Sequence, residues 1–329
     1  MESVYSLIGD ANPDLRDSCM IASRRMGISA AMVEKDAWVT LVLGYLFRDS
    51  PWRGHLLFKG GTCMSKCYGA IDRFSEDVDV LLDWRLLGYG IGGPPVGTSR
   101  KKQEMHNDEM VGRTSRFIVD EMIPRMGEDL EGLIGAHLGI GPCDGGISIR
   151  YPSVFGASRV SNTILLEIGP RGAWGMPEVR TVSPYISEHG NVAPGCGVTV
   201  NAISLERALY EKVLILHSVA ARGTVPSRYS RHYYDVYSML NGMGEIRFDH
   251  GTISEIVGFK RRFYPGAGYG YDTMVPGSFG LVPSDGVLDL LREDYRAMEG
   301  MIFGTRPSFD EIMDFIGDLE TRMNDPDPM

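Results

Sequence analysis

Two aspartates separated by one residue follow a glycine pair in the segment LLFKGGTCMSKCYGAIDRFSEDVDVLLD, which covers residues 56–83. The glycines are Gly60 and Gly61, and the acids are Asp77 and Asp79. Side chains at positions i and i+2 of a strand share one face of the sheet, so the two carboxylates would point the same way. Carboxylate oxygens are the ligands that Mg²⁺ prefers, and Mg²⁺ keeps substrate phosphates in its shell. The pair therefore predicts a magnesium site, with two ions possible, that acts on a phosphorylated substrate.

The residues just before the acids resemble a phosphate-binding turn. HLLF at 55–58 predicts a short buried strand, and Gly60-Gly61-Thr62 then begins a helix that runs to about Tyr68. Free backbone N–H groups at such a turn can hold the phosphates of a nucleoside triphosphate, and the Thr62 hydroxyl adds a donor.

Three polar side chains flank this turn and the strand that follows it. Lys59 and Lys66 lie on either side of the turn, within reach of a phosphate. Lys66 has an alternative role, which is an ion pair with Glu76. Ser75 precedes the strand of the acids and is expected to cap or orient Asp77.

Glu167 is the candidate for a third carboxylate. NTILLEIG at 162–169 predicts a strand on which Thr163, Leu165 and Glu167 share one face. An acid on an otherwise apolar strand is unfavourable unless it is exposed, paired or bound to a metal.

The structural alternative for the aspartate pair stays open at this point. Acids at strand ends often cap loops, and Asp77 or Asp79 could instead form an ion pair with Arg73 or Lys66.

Residues beyond about 205 show helical periodicity and carry two further candidates. Lys212 lies on an amphipathic helix, where a single lysine is usually solvated. Arg231 and Asp235 are neighbours at i and i+4, which indicates either a surface ion pair or an aspartate facing the site. In the second case Arg231 or Arg228 would lie near phosphate. The histidines of this region are expected to be structural.

The net charge of −10 argues against a protein that coats nucleic acid. It is compatible with an enzyme that binds one RNA end through a local basic patch. FKRRFYP at 259–265 alternates cations with aromatic residues, which suits phosphate contact and base stacking. Lys260, Arg261 and Arg262 are therefore RNA-binding candidates, with a solvated helix face as the alternative.

The order of these patterns predicts an α+β protein. A mixed α/β core with N-terminal helices would cover residues 1–200, and a mostly helical domain would cover 201–329 and close the cleft. The five cysteines show no zinc-binding spacing and favour a reducing compartment. The N-terminus lacks the features of a signal peptide, and no segment reads as a membrane span. We therefore expect a cytoplasmic protein.

Six segments occur in the order in which they are found in one protein family. They are VEKDAWVTLVLGYLF at 33–47, KGGTCMSKCYGAIDRFSEDVDVLL at 59–82, TILLEIGPRG at 163–172, LERALYEKVLILHSVA at 205–220, RHYYDVYSML at 231–240 and FKRRFYP at 259–265. With them the chain resembles the AbiEii/AbiGii (MenT-type) nucleotidyltransferase toxins. It departs from the family pattern in Cys-Met-Ser after the Gly-Gly-Thr turn.

The resemblance implies a nucleotidyltransferase-type core and a role for each matching residue. The glycine turn would hold the phosphates of an NTP, and Asp77 and Asp79 would hold Mg²⁺. Lys212 would contact the triphosphate, and Asp235 would complete the active site. The enzyme would transfer NMP to the 3′ end of tRNA, release pyrophosphate and block translation. It would be a growth-inhibiting toxin with a cognate antitoxin, and phage defence would be its purpose.

Two other functional classes remain open from the sequence. One is a nucleotidyltransferase that modifies a small molecule, which the acidic net charge favours. The other is a nucleotide-dependent modifier of its antitoxin protein, or a module that only binds nucleotide.

Overall fold

The computed structural model describes residues 4–8, 14–75, 77–156, 160–172, 175–190, 196–244, 247–266 and 268–325. They group into two compact units. The first unit is built from Met1–Tyr68 and Phe74–Ile203, and the second from Gly69–Arg73 and Ser204–Met329. The sheet belongs to the first unit and the later helices to the second. A mixed α/β core followed by a mostly helical part is thus confirmed as the fold class.

The first unit contains a seven-stranded mixed sheet with the strand order β3-β4-β5-β2-β1-β7-β6. The strands are β1 Leu56–Lys59, β2 Asp77–Leu82, β3 Gly139–Cys143, β4 Gly146–Arg150, β5 Thr163–Gly169, β6 Glu178–Val182 and β7 Val198–Ala202. The pairs β2–β5 and β1–β7 are parallel, and the other neighbours are antiparallel. The strands expected at 55–58 and 162–169 are present, and Asp77 and Asp79 lie on a strand as predicted.

The helices of the first unit precede the sheet strands or connect them. They are α1 Leu15–Met26, α2 Ala30–Gly44, α3 Gly60–Tyr68, α4 Arg100–Phe117, α5 Ile123–Ile134 and α6 Tyr185–Glu188. The Ser29 side chain caps α2 by accepting a hydrogen bond from the Met32 N–H.

Helix α2 is buried on all sides from Val33 onward. Its charged residues therefore need partners inside the unit. Glu34 accepts hydrogen bonds from the Ser153 hydroxyl at 2.6 Å and the Val154 N–H at 2.7 Å. These bonds fix the chain between β4 and β5 against the central helix.

The second unit contains five longer helices within its described residues. They are α7 Leu205–Arg222, α8 Ser230–Met243, α9 His250–Phe263, α10 Asp285–Met298 and α11 Phe309–Asn324. Ser204 caps α7 by accepting from the Arg207 N–H, and Gly223 ends it in the left-handed conformation. Each of these helices buries one apolar side, as the periodicity of the sequence predicts.

A five-residue strip, Gly69–Arg73, leaves the first unit between α3 and β2 and packs within the second. The Ala70 carbonyl accepts a hydrogen bond from the Ser238 hydroxyl at 3.0 Å. The Phe303 N–H donates to the Asp72 carbonyl at 2.6 Å. The predicted boundary near residue 200 did not include this excursion of the chain.

Within the ranges that the structure describes, no helix is long and apolar enough to cross a membrane.

Candidate active site

The acids singled out in the sequence lie side by side on the sheet. Asp79 pairs in register with Lys59 of β1 on one side and with Glu167 of β5 on the other. Asp77 pairs with Leu165, one pleat further along the same strands. Because directly opposed residues of neighbouring strands share a face, these side chains lie on the same side of the sheet. We refer to Asp77, Asp79 and Glu167 as the acidic row.

The opposite face of the same strands explains why the acids point where they do. Val78 and Val80 alternate with the aspartates and are 0% and 1% exposed. Leu166 and Ile168 of β5 are equally buried. A shift in register by one residue would bury all three carboxylates in this apolar layer, so the core fixes the position of the acidic row.

Gly60 brings the start of α3 directly against the acidic row. Its φ is +79°, and a Cβ atom added there would lie 1.8 Å from Oδ2 of Asp79. Only glycine fits, because both the backbone conformation and the close approach of the carboxylate exclude a side chain. The N-terminus of a nine-residue helix therefore adjoins a carboxylate that could hold a metal ion.

Thr62 has a structural task in this arrangement. Its hydroxyl donates to the Asp77 carbonyl at 2.5 Å. The bond ties the first turn of α3 to the start of β2, and the single hydroxyl proton is used in doing so. Thr62 thus positions Asp77, whereas we had expected its hydroxyl to point to a phosphate.

The acidic row is an electrostatically strained cluster. Burial raises the pKa of Glu167, and so do the charges of Asp79 and Asp77 and a hydrogen bond with the Asp79 carboxyl. The Lys59 charge acts in the opposite direction. Mutual repulsion of this kind is what a bound divalent cation relieves.

The donors of the acidic row fit Mg²⁺ in their chemistry. All three are carboxylates, the ligand type of hard divalent cations. Among the residues that the structure describes, no group of three or more His, Cys, Asp or Glu side chains is already arranged as a metal site. The role of Asp77, Asp79 and Glu167 as metal ligands stays a prediction.

Lys66 and Ser75, two of the predicted nucleotide ligands, differ in what surrounds them. Lys66 Nζ lies 2.6 Å from Oδ1 of Asp36 and 2.7 Å from the Ser183 carbonyl, and its side chain is 5% exposed. The ammonium is thus already held inside the first unit. Ser75 is half-buried two residues before β2. Glu76, the alternative partner of Lys66, lies outside the described residues.

A second cluster lies within the helical unit. Asp235 is fully buried and accepts hydrogen bonds from Nε of Arg73 at 2.6 Å and Nη2 at 2.8 Å. Lys212 Nζ donates to Oδ2 of Asp235 at 2.6 Å. We refer to these three residues as the buried trio. The solvated-lysine alternative for Lys212 is wrong, because its side chain is 9% exposed.

The charges of the buried trio do not cancel. Burial alone would raise the pKa of Asp235, but the charges of Arg73 and Lys212 hold it well below its usual range. Within the trio, one carboxylate thus faces two cations. The surface pair of Arg231 with Asp235, considered from the i, i+4 spacing, is replaced by this arrangement.

The predicted RNA-binding cations lie at two places in the second unit. Lys260, Arg261 and Arg262 form the last turn of α9, and Arg261 Nη2 lies 2.8 Å from Oδ1 of Asp272. Arg228 is exposed and lies just before α8, and Arg231 is half-buried in the first turn of that helix.

The surroundings of His217 bear on the expectation that the histidines of the helical region are structural. His217 Nε2 lies 3.1 Å from both the Gly270 carbonyl and the Thr273 hydroxyl, and its Nδ1 accepts from the Gly280 N–H. His217 is thus a packing residue of the second unit, as expected.

Arg73 is the member of the buried trio that the sequence does not reveal. From the sequence, Arg73 is a candidate partner only for the aspartate pair on β2. Its real partner, Asp235, is 162 residues away in the sequence. The sequence shows only that Arg73 lies in a short connection between α3 and β2, and this position alone does not identify its partner.

Comparisons with known proteins give one family match and one similar solved structure. A family model described as "Nucleotidyl transferase AbiEii toxin, Type IV TA system" matches residues 44–315. Among solved structures, MenT4, a nucleotidyltransferase toxin from Mycobacterium tuberculosis H37Rv, is 17% identical with a TM-score of 0.45. The alignment covers 93% of this chain and 92% of that one. A search of the curated proteins gives no match.

Proposed function

Since the chain belongs to the AbiEii nucleotidyl transferase toxin family of type IV toxin–antitoxin systems, we propose that it transfers a nucleoside monophosphate from an NTP to the 3′ end of tRNA. The observation that carries the proposal is the acidic row against Gly60, because it joins carboxylates to a helix N-terminus on one face of the sheet. A helix N-terminus attracts phosphate, and carboxylates attract the cation that accompanies it.

The transfer is an in-line displacement at the α-phosphorus. The 3′ hydroxyl oxygen of the acceptor forms a bond to phosphorus, the bond to the bridging oxygen breaks, and pyrophosphate leaves with the electron pair. The hydroxyl proton passes to the acidic row or to water. Mg²⁺, when held by Asp77, Asp79 and Glu167, would supply neutralising charge for the phosphates.

The chain's own residues orient the reactants. Gly60 and Gly61 begin α3, where backbone N–H groups lack partners within the helix and would hold phosphate, and Lys59 adds a cation beside the row. In the helical unit, Lys212 would contact the triphosphate, and Asp235 would keep its ammonium in place. Catalysis of this type depends on positioning and on charge stabilisation.

The RNA part of the proposal is supported by the surface around the end of α9. The rings of Tyr269 and Tyr271 stack with centroids 5.4 Å apart, and Arg222 lies over Tyr269 at 4.9 Å. Arg261 donates to the Tyr271 carbonyl at 3.1 Å. Aromatic rings with neighbouring cations bind unpaired nucleotides by stacking and phosphate contact.

The remaining partners follow from the family. A toxin–antitoxin system implies an antitoxin, and modification of tRNA ends in the cytoplasm would stop translation. Arrest of a phage-infected cell is the purpose that we propose for this activity.

The test uses purified protein, total tRNA, Mg²⁺ and each of the four α-labelled NTPs in turn. We expect label on tRNA with the wild type and a loss of at least about a hundredfold with Asp77→Asn. Asp108→Asn, an exposed acid on α4, is the matched control and should keep full activity. Circular dichroism checks that each variant is folded.

Two results would contradict the proposal. Label that persists in Asp77→Asn would exclude the acidic row as the catalytic centre. Folded wild-type protein that labels no RNA with any NTP would favour a small-molecule acceptor, and label on a co-expressed antitoxin from γ-labelled NTP would favour protein modification.

A further inference from the structure

The sheet face that carries the acidic row continues beyond Glu167 onto β4 and β3. Asp77 lies opposite Leu165 of β5, and Leu165 lies opposite Ser148 of β4. Ser148 in turn lies opposite Gly141 of β3. Because directly opposed residues of neighbouring strands share a face, all of these residues lie on the side of the carboxylates.

The two faces of these strands differ in their exposure to solvent. On the far side, Ile147, Ile149 and Ile164 are each 0% exposed and belong to the core. On the side of the carboxylates, Leu165 is 39% exposed. A Cβ atom added at Gly141 would meet nothing within 4 Å. The surface is therefore unobstructed up to the strand position next to the acidic row.

Arg150 of β4 places a cation at the far end of this surface. It is exposed, and within the described ranges it forms no ion pair. A Cβ atom added at Gly139, opposite on β3, would lie 3.3 Å from the Arg150 Cβ, so the two positions share the face. Arg150 also lies opposite Thr163, four residues before Glu167 on β5. At a rise of about 3.3 Å per residue, its backbone is about 13 Å from the Glu167 backbone. We refer to Gly141, Ser148, Arg150 and Leu165 as the open face.

The direction of the transfer decides which reactant would lie on the open face. Gly60 begins α3 and adjoins Asp79 from the β1 side, since it directly follows Lys59. The proposed function puts the phosphates of the NTP at that helix N-terminus. In an in-line displacement the attacking oxygen approaches opposite the leaving pyrophosphate. The acceptor hydroxyl must then come from the other side of Asp79, where Glu167 and the rest of β5 lie.

We propose that the open face binds the last nucleotides of the acceptor RNA. The 3′ hydroxyl would lie at the acidic row, Leu165 would contact the terminal nucleoside, and Arg150 would hold a phosphate further from the end. The small residues Gly141 and Ser148 would let the sugar–phosphate backbone approach the strands closely. The inference rests on the proposed function and specifies where its acceptor binds.

The first test fills the open face without removing a charge. Gly141→Val adds a side chain in open space, and a β-branched residue within a strand should keep or raise the Tm. Binding is measured to a single-stranded RNA decamer with a free 3′ hydroxyl, and separately to α,β-methylene analogues of the four NTPs with Mg²⁺. We expect the Kd of the decamer to rise by at least about tenfold and the Kd of the analogues to change by less than about twofold.

Gly132→Val is the matched control for the added side chain. Gly132 is exposed on α5, and a Cβ atom there also meets nothing within 4 Å. The Kd values of the decamer and of the analogues should both stay at the wild-type level in this variant.

Arg150→Gln tests the phosphate contact. Its loss should raise the Kd of the decamer by about tenfold and lower the slope of log K against log salt by about 0.7, the value for one contact with a single strand. Gly141→Val should leave this slope unchanged, because it removes no charge. Arg116→Gln, an exposed arginine on α4, is the matched control and should change neither the Kd nor the slope.

Three outcomes would overturn the inference. They are an unchanged Kd of the decamer in both variants, an equal rise in the two controls, and a wild type that does not bind the decamer. A Gly141→Val toxin that binds the decamer normally but escapes its antitoxin in cells would assign the open face to the antitoxin instead.

The two proposals fail separately, because binding needs no turnover. Transfer of nucleotide to tRNA with unchanged binding in Gly141→Val and Arg150→Gln refutes the open face alone. A protein that labels no RNA, yet loses affinity for the decamer in both variants, refutes the proposed function alone.

Discussion

Among single residues, Gly60 and Asp79 constrain each other most closely, since no side chain fits between them. Gly60→Ala should lower the free energy of unfolding by about 2–4 kcal/mol, because the alanine must adopt positive φ and displace the Asp79 carboxylate. Nucleotidyl transfer should fall with it. Urea unfolding and the labelling assay measure the two effects.

Gly69, at the other end of α3, is the matched control for this substitution. It also has positive φ, at +56°, but a Cβ atom there meets nothing within 4 Å. Gly69→Ala should therefore cost only about 1–2 kcal/mol, the conformational part of the effect. Equal losses in both variants would show that the contact with Asp79 is unimportant.

The buried trio leads to a prediction about which of its charges stabilises the fold. Asp235→Asn removes the charge that Asp235 supplies to the buried Arg73 and Lys212, and should cost about 3–5 kcal/mol. Lys212→Met leaves the two-bond pair of Arg73 with Asp235 intact, and should cost about 1–2 kcal/mol while it removes activity. Urea unfolding with parallel labelling assays compares the variants. A Lys212→Met protein with normal turnover would exclude a catalytic role for Lys212.

At the scale of secondary structure, the end of β2 depends on one carboxylate. Asp83 accepts hydrogen bonds from the Arg85 N–H at 2.9 Å and from Arg85 Nε at 2.7 Å, and its Oδ2 lies 3.1 Å from His55 Nδ1. Burial alone would raise the pKa of Asp83, but these bonds lower it to about 2. The ionised form therefore stabilises the turn that follows the strand of the acidic row.

The sign of the pH effect follows from this depressed pKa. The stabilising contribution is complete above the unfolded pKa of about 3.9 and is lost as the pH falls toward 2. Asp83→Asn should be less stable than the wild type by about 1–2 kcal/mol at pH 7, and the gap should narrow between pH 4 and pH 3. Urea unfolding at pH 7, 5, 4 and 3 measures it. A gap that stays constant over this range would contradict the assignment.

The sequence predicted those strands whose residue types are unambiguous. Strands β1, β2 and β5 carry buried or alternating β-branched and aliphatic residues. Strand β3 was missed because GIGPC contains two glycines and a proline. Strand β6 is short, polar and largely exposed, and β7 spans the position where we placed the domain boundary.

For the candidate site residues, too, the sequence predicts features that depend on local patterns and misses contacts between distant residues. The acidic row could be predicted, because alternation along β2 and β5 fixes the face of each acid. The pairing of Asp79 with Glu167 and the bond from Arg73 to Asp235 join residues far apart in the chain. Such pairings depend on tertiary packing, which local periodicity does not encode.

At the scale of the whole molecule, an acidic protein with a net charge of −10 needs local cations to bind RNA. Replacing Lys260, Arg261 and Arg262 by glutamine should weaken tRNA binding and reduce its salt dependence. The slope of log K against log salt should fall by about 2–3, as expected for the loss of about three phosphate contacts. Binding of NTP should not change. Filter binding at 50–200 mM salt measures both.

Another basic cluster of equal size provides the control. Arg100, Lys101 and Lys102 form the first turn of α4, in the first unit. Their replacement by glutamine should leave the slope for tRNA unchanged. If the two triple variants lose affinity equally, RNA binding is a general electrostatic effect and the placement on α9 is wrong.

The excursion of Gly69–Arg73 into the helical unit also has a consequence in time. A ribosome adds about 5–20 residues per second, so Arg73 is made roughly 8–30 s before Asp235, its partner 162 residues later. The acidic row is complete in the nascent chain well before that moment, since Glu167 precedes Asp235. Each ribosome that translates this protein therefore carries, for several seconds, a chain that has the acidic row but lacks a complete buried trio. The residues of both clusters are present only once position 235 of 329 has been added, and a chain whose translation stops earlier stays without its second cluster.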